Sequence, residues 1–179
     1  MSGLLDRRAV VELLTELGRR LDGRGQAAEI YVVGGTAMVL AYDRERLTRD
    51  IDAIWEETHD LDEVVAQMAV EFDLPDEWIN DRVRPMLPRV LDAGASEALV
   101  VPGLTVSVAS TRHMMAMKAR AARDARDLDD LELLCRREGI TSSAEVLRIA
   151  DEVWGEGMLR PETVFAVREG LRDRGLEAD

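Results

Sequence analysis

Apolar positions along the chain fall into helical stripes separated by short, dense runs. Leu5, Val10, Leu13, Leu14 and Leu17 recur at near-helical intervals, which predicts an amphipathic helix over residues 4–21, ended by Gly23 and Gly25. Ile30, Tyr31, Val32 and Val33 form a wholly apolar run, the pattern of a strand buried on both faces. Gly34 and Gly35 stop it, Thr36 is placed as an N-cap, and a helix is predicted over residues 37–42. Residues 51–55 alternate as a second strand. Leu61, Val64, Val65 and Met68 mark a helix over residues 60–72, with Asp60 or Asp62 as its cap. Pro75, Pro85 and Pro88 break residues 74–91 into loop with short helical pieces. Residues 99–101 and 104–108 flank Pro102 and Gly103 as a hairpin or two neighbouring strands. From Thr111 onward the pattern is helical, pausing at Gly139 and between Gly155 and Pro161.

This order predicts a mixed α/β sheet over residues 1–110 and a helical part over residues 111–179, packed on the core as one compact unit. Composition narrows the class further. With 46% hydrophobic and 33% charged residues the chain is an ordinary globular one. Its net charge of −13 argues against non-specific DNA or RNA binding, which rests on neutralising phosphates, and leaves RNA only a locally basic groove. The single Cys135 rules out an internal disulfide framework and a Cys-cluster zinc site, and its helical spacing makes it a core residue. Two histidines, His59 and His113, are too few for a zinc centre, and Met114, Met115 and Met117 read as core packing. The first residues are amphipathic and contain acids, unlike a signal or transit peptide, and no apolar run reaches the roughly 18 to 20 residues of a membrane span. A cytoplasmic protein with no membrane partner is expected.

The stretch YVVGGTAMVLAYDRERLTRDIDAIW carries the chemistry. A strand ends in two glycines, whose missing side chains let backbone N–H groups approach a ligand closely. A helix follows, and its N-terminus is a natural phosphate seat, formed here by Gly34, Gly35 and Thr36. The next strand carries Asp50 and Asp52, two residues apart, so both carboxylates project from one face. Two carboxylates beside a phosphate seat suit Mg²⁺, a hard cation with oxygen ligands that bridges nucleotide phosphates. A glycine pair or an Asp-x-Asp is common by itself; the two in this order, with 14 residues between Gly35 and Asp50, are far more specific.

The arrangement resembles the nucleotidyltransferase superfamily of the DNA polymerase β type, whose signature is Gly-Gly or Gly-Ser followed by Asp-x-Asp. GGTAMVLAY and TRDIDAI look most like the branch containing the AbiEii and MenT toxins of toxin–antitoxin systems. MKARAARDARDLDDLELL resembles that branch's later helical motif at Lys118, Ala121, Arg123, Arg126, Asp127, Asp130 and Leu131. DEWINDRV is similar to the Trp-x-Asn-Asp element of a bacterial nucleotidyltransferase-like family of unknown function. The resemblance implies a nucleotidyltransferase fold, an α/β (α+β) mixed sheet flanked by helices with a helical C-terminal part. It also implies an NTP substrate, Mg²⁺ held by Asp50 and Asp52, an RNA (tRNA 3′ end) or protein acceptor, and a cognate antitoxin partner. Lys118 and Arg123, read as lying near the start of a helix, would face the triphosphate as counter-charges. Asp127 and Asp130 share a helical face, where they would hold Lys118 or Arg123 or add to the metal site; the plainer reading of the run is a solvated face with intrahelical ion pairs.

The chain departs from the superfamily at one point. A third carboxylate is common on a later strand, and the expected strand, residues 104–108, has Thr105 and Ser107 instead. Asp127 is then the substitute candidate, or the fold is catalytically degenerate and binds a nucleotide or a partner as a regulator, antitoxin-like. Trp78 and Asn80 read either as loop packing or as a contact to a base.

Overall fold

A computed structural model describes residues 4–42, 45–55, 59–122 and 124–176. Helix α1 (Arg7–Asp22) starts where the Asp6 carboxylate accepts from the Ala9 N–H at 2.8 Å and ends with Arg19 and Arg20 in its last turn, complementing the helix dipole at both ends. Strand β1 (Ala28–Val32) leads into a four-residue helix α2 (Gly34–Ala37), continued by a π-helical turn, Met38–Tyr42. Then follow β2 (Ile51–Trp55), α3 (His59–Glu71), the two-residue β3 (Ile79–Asn80), a 3₁₀ turn (Arg84–Met86), β4 (Ser96–Val101) and β5 (Leu104–Val108). Four helices close the chain: α4 (Thr111–Ala121), α5 (Ala125–Glu138), α6 (Ser143–Trp154) and α7 (Pro161–Arg172).

The sheet has the order β3-β2-β1-β5-β4. β1 pairs parallel with β5 and antiparallel with β2; β2 pairs parallel with β3, and β4 with β5 forms the hairpin expected around Pro102 and Gly103. Residues paired across strands share a face. Ile51, Ala53, Ile30, Val32, Val106 and Val108 are 0–2% exposed on one face of the sheet; α1 packs against β4 and β5, and α3 packs against α1. Burial alternates along β1, with Glu29 exposed and Tyr31 half-buried. The strand read as buried on both faces is therefore buried on one, and the other face keeps polar positions open for a site.

The chain forms two compact units, Met1–Met86 with Ala95–Ala109, and Leu87–Gly94 with Ser110–Asp179. The sheet lies in the first. The second is a helical cluster whose core includes Met114, Met115, Leu131, Leu134, Cys135 and Val153. The helical run from Thr111 breaks at Ala122, because Asp124 accepts from the Asp127 N–H at 3.1 Å and caps a new helix. Lys118 accordingly lies in the last turn of α4, not near a helix start. The architecture is the expected mixed α/β sheet flanked by helices with a helical C-terminal part.

Candidate active site

The turn between β1 and α2 is built around glycine for two separate reasons. Gly34 has φ +63°, and a Cβ there would stand 2.9 Å from the Asp52 Oδ2. A Cβ on Gly35 would stand 2.8 Å from the Thr48 Oγ1. The backbone therefore lies directly against the acid-bearing segment, and the Val33 N–H donates to the Asp52 carbonyl at 3.0 Å. The N-cap is Val33, three residues before the expected Thr36. Thr36 is fully buried, and its hydroxyl donates to the Asp50 carbonyl at 2.7 Å. Thr48, 4% exposed, donates to the same carbonyl at 3.0 Å. Two hydroxyls thus pin the peptide that presents Asp50.

Both acids are half-buried. β3 stands beside them, with Asn80 opposite Asp52 in register and its Nδ2 donating to the Asp50 Oδ2 at 3.3 Å. The Ile51 N–H donates to the Trp78 carbonyl at 2.8 Å, which seats the short strand. The strand expected to carry the third carboxylate is elsewhere. Thr105 and Ser107 of β5 pair with Glu29 and Tyr31, so β1 stands between them and β2. The residue next to the acid pair is the amide of Asn80. Thr48 and this role of Asn80 were missed from the sequence; the signal for β3 was two residues long, too short for any periodicity.

The site carries oxygen donors of the kind Mg²⁺ takes, two carboxylates against a glycine backbone, with first-turn N–H groups of Gly34, Gly35 and Thr36 beside them. A phosphate would meet backbone at Thr36, since its hydroxyl is engaged with Asp50. Among the described residues no group of three or more His, Cys, Asp or Glu forms a metal site by itself, so two acids would hold the cation with phosphate and water oxygens completing its shell.

Trp78 is 1% exposed and its Nε1 donates to the Val65 carbonyl at 3.2 Å; it is a core residue. In the second unit, the Lys118 Nζ lies 2.9 Å from the Asp127 Oδ1 and 2.7 Å from the Asp130 Oδ2. Asp130 is 2% exposed. Asp127 and Asp130 thus hold Lys118, tying α5 to α4. Arg123 lies outside the described residues. Burial pushes the Cys135 thiol up to about 12, as fits a core residue.

The same kind of fold is found in a solved antigenic nucleotidyltransferase-like protein from Paracoccidioides brasiliensis, with a TM-score of 0.50 and 15% identity over 92% of this chain and 94% of that one. At that identity the likeness establishes a nucleotidyltransferase-like fold. Residues 9–133 match the model of a family described as a nucleotidyltransferase of unknown function (DUF6036), and the chain belongs to that family. No curated protein matches the sequence.

Proposed function

We propose that the chain transfers a nucleoside monophosphate from an NTP to an acceptor hydroxyl, with Asp50 and Asp52 holding Mg²⁺ and the Gly34–Thr36 turn seating the phosphates. The observation that carries this reading is the fit of Gly34 against Asp52, which leaves no room for a side chain between the glycine turn and the acid pair. When bound, Mg²⁺ would neutralise negative charge on the reacting phosphates. The acceptor oxygen would form a bond to the α-phosphorus while the bond to the β-phosphate oxygen breaks, releasing pyrophosphate and the acceptor proton. The chain's own residues bind and orient: Thr36 and Thr48 fix the Asp50 peptide, and the glycines bring N–H groups to the phosphates.

The likeness to the AbiEii and MenT branch supports a toxin with a cognate antitoxin, acting on a tRNA 3′ end or a protein side chain. Charge favours the protein acceptor. Arg82 is ion-paired with Glu77, Arg84 with Asp81 and Arg112 with Glu152, so each would have to leave a carboxylate to meet an RNA phosphate. Lys118 would serve a triphosphate only by leaving Asp127 and Asp130, so we assign it and Asp127 to holding the second unit together. A second reading, a nucleotide-binding regulator without transfer, is favoured by an amide where a third carboxylate is common.

Each α-³²P-labelled NTP would be incubated with Mg²⁺, total tRNA and cell extract, comparing wild type with Asp52→Asn. Label moved by wild type alone supports transfer, and its sensitivity to nuclease or protease identifies the acceptor. Retained Mg–NTP binding with no label on any acceptor supports the regulator.

A further inference from the structure

The amide of Asn80 is 7% exposed and fixed at both ends. Its Nδ2 donates to the Asp50 Oδ2 and to the Glu77 carbonyl, each at 3.3 Å, while its Oδ1 accepts from the Arg82 N–H at 3.2 Å. Those bonds turn the N–H side of the amide toward Asp50, and the β2–β3 register sets the residue opposite Asp52. Neighbouring strands lie about 4.7–4.9 Å apart. An isosteric carboxylate at this position would put a third negative oxygen about where Nδ2 stands, 3.3 Å from Asp50. Like charges so close resist common ionisation unless a cation joins them. The amide does the reverse: it donates to one Asp50 oxygen, leaves the other for a ligand, and keeps the cluster at two negative charges.

We propose that Asn80 is the positioning residue of the acid pair, orienting Asp50 through Nδ2 and limiting the nucleotide-free site to one divalent cation. This rests on Asp50 and Asp52 being cation ligands, as read above. Sites that hold two ions set them roughly 3.5–4 Å apart and need carboxylate charge for both. Two carboxylates balance one ion.

The test uses the whole chain and Mn²⁺ alone, with bound metal counted by electron paramagnetic resonance and folding followed by circular dichroism. Wild type should bind one Mn²⁺, lost in Asp50→Asn and Asp52→Asn. Asn80→Ala should still bind one, about threefold to tenfold more weakly, the range of a single hydrogen bond. Asn80→Asp should bind a second Mn²⁺ or hold the first at least about tenfold more tightly, as an added carboxylate ligand implies. A residue with a merely structural role would lower the melting temperature and leave the Mn²⁺ affinity of the folded protein alone. Two equivalents in wild type, or wild-type binding in both Asn80 variants, overturns the proposal while leaving the acid pair as ligands. Wild-type Mn²⁺ binding that survives in Asp50→Asn and Asp52→Asn, or no binding at all, overturns the reading of the acids and this proposal with it. Should Asn80→Ala not fold, the isosteric Asn80→Asp decides by itself.

Discussion

The aspartate pairs Asp127/Asp130 and Asp50/Asp52 have similar spacing in the sequence and different surroundings. Asp127 and Asp130 stand on α5 with the ammonium of Lys118 between them, and Asp130 is closed off from water. Asp50 and Asp52 stand half-exposed at the start of β2, against glycine backbone and the amide of Asn80. A buried acid whose charge is balanced by a lysine holds the fold, because either partner left alone would be a desolvated charge. Half-exposed acids against a glycine turn are, by contrast, the pair we propose as cation ligands.

The largest test of that contrast is Lys118→Ala. Leaving Asp130 buried without its partner should cost about 3–5 kcal/mol, which for a chain of this size lowers the melting temperature by roughly 10 °C. Asp52→Asn should shift stability by less than about 1 kcal/mol while removing Mn²⁺ binding. Thermal melts of the two variants, side by side with Mn²⁺ titrations, check both. If Lys118→Ala melted like wild type, the fold-holding role of the Asp127 and Asp130 pair would fall, and with it the contrast.

Gly34→Ala comes next. A side chain at a left-handed φ costs roughly 1–2 kcal/mol, and here it would also displace the Asp52 carboxylate. Mn²⁺ affinity should therefore fall by more than stability does. Equal binding with lowered stability would mean that the close approach of glycine to acid has no part in holding the ion.

What could be read in advance follows from where the signals lie. The strand over residues 51–55 and the glycine pair were legible because alternation and glycine punctuation are local properties. The buried face of β1 was only half legible: Ile30–Val33 is apolar throughout, and which side chains are covered depends on tertiary packing that no local pattern records. The two-residue β3 had no period to detect, and its partner was chosen by register. The third acid was sought on β5, two strands away from β2, while the residue that matters lay in the proline-broken stretch read as loop. The break at Ala122 was hidden because ARAARDARD is helical in composition; the capping oxygen of Asp124 decided it. That single cap moved Lys118 from the start of a helix to the end of one.

Thr36 and Thr48 give a finer measure of how the site is held. Both donate to the Asp50 carbonyl, so Thr36→Val or Thr48→Val alone should cost about 0.5–1.5 kcal/mol. The double variant should cost more than the sum, since the first loss leaves the carbonyl with the other hydroxyl. Urea unfolding of the four proteins measures the coupling. Strict additivity would mean that the two hydroxyls act independently and that neither compensates for loss of the other.

The smallest effect belongs to an ion pair on α1. A hydrogen bond from Arg19, with a further one from Arg20, lowers the Glu16 carboxyl to about 2. A carboxyl lowered on folding stabilises the protein above its unfolded value, near 4.5, and that contribution disappears as pH falls from about 4.5 to about 2. The Arg19 side chain is 70% exposed, so solvent screening keeps the contribution at or below about 1 kcal/mol. Compared with Glu16→Gln, wild type should be slightly more stable at pH 6, and the difference should shrink as pH falls below about 4.5 and vanish only below about 2. A difference that persisted at that pH would assign the stabilisation to packing of the Glu16 side chain, leaving the buried Asp130–Lys118 pair as the charge on which this fold depends.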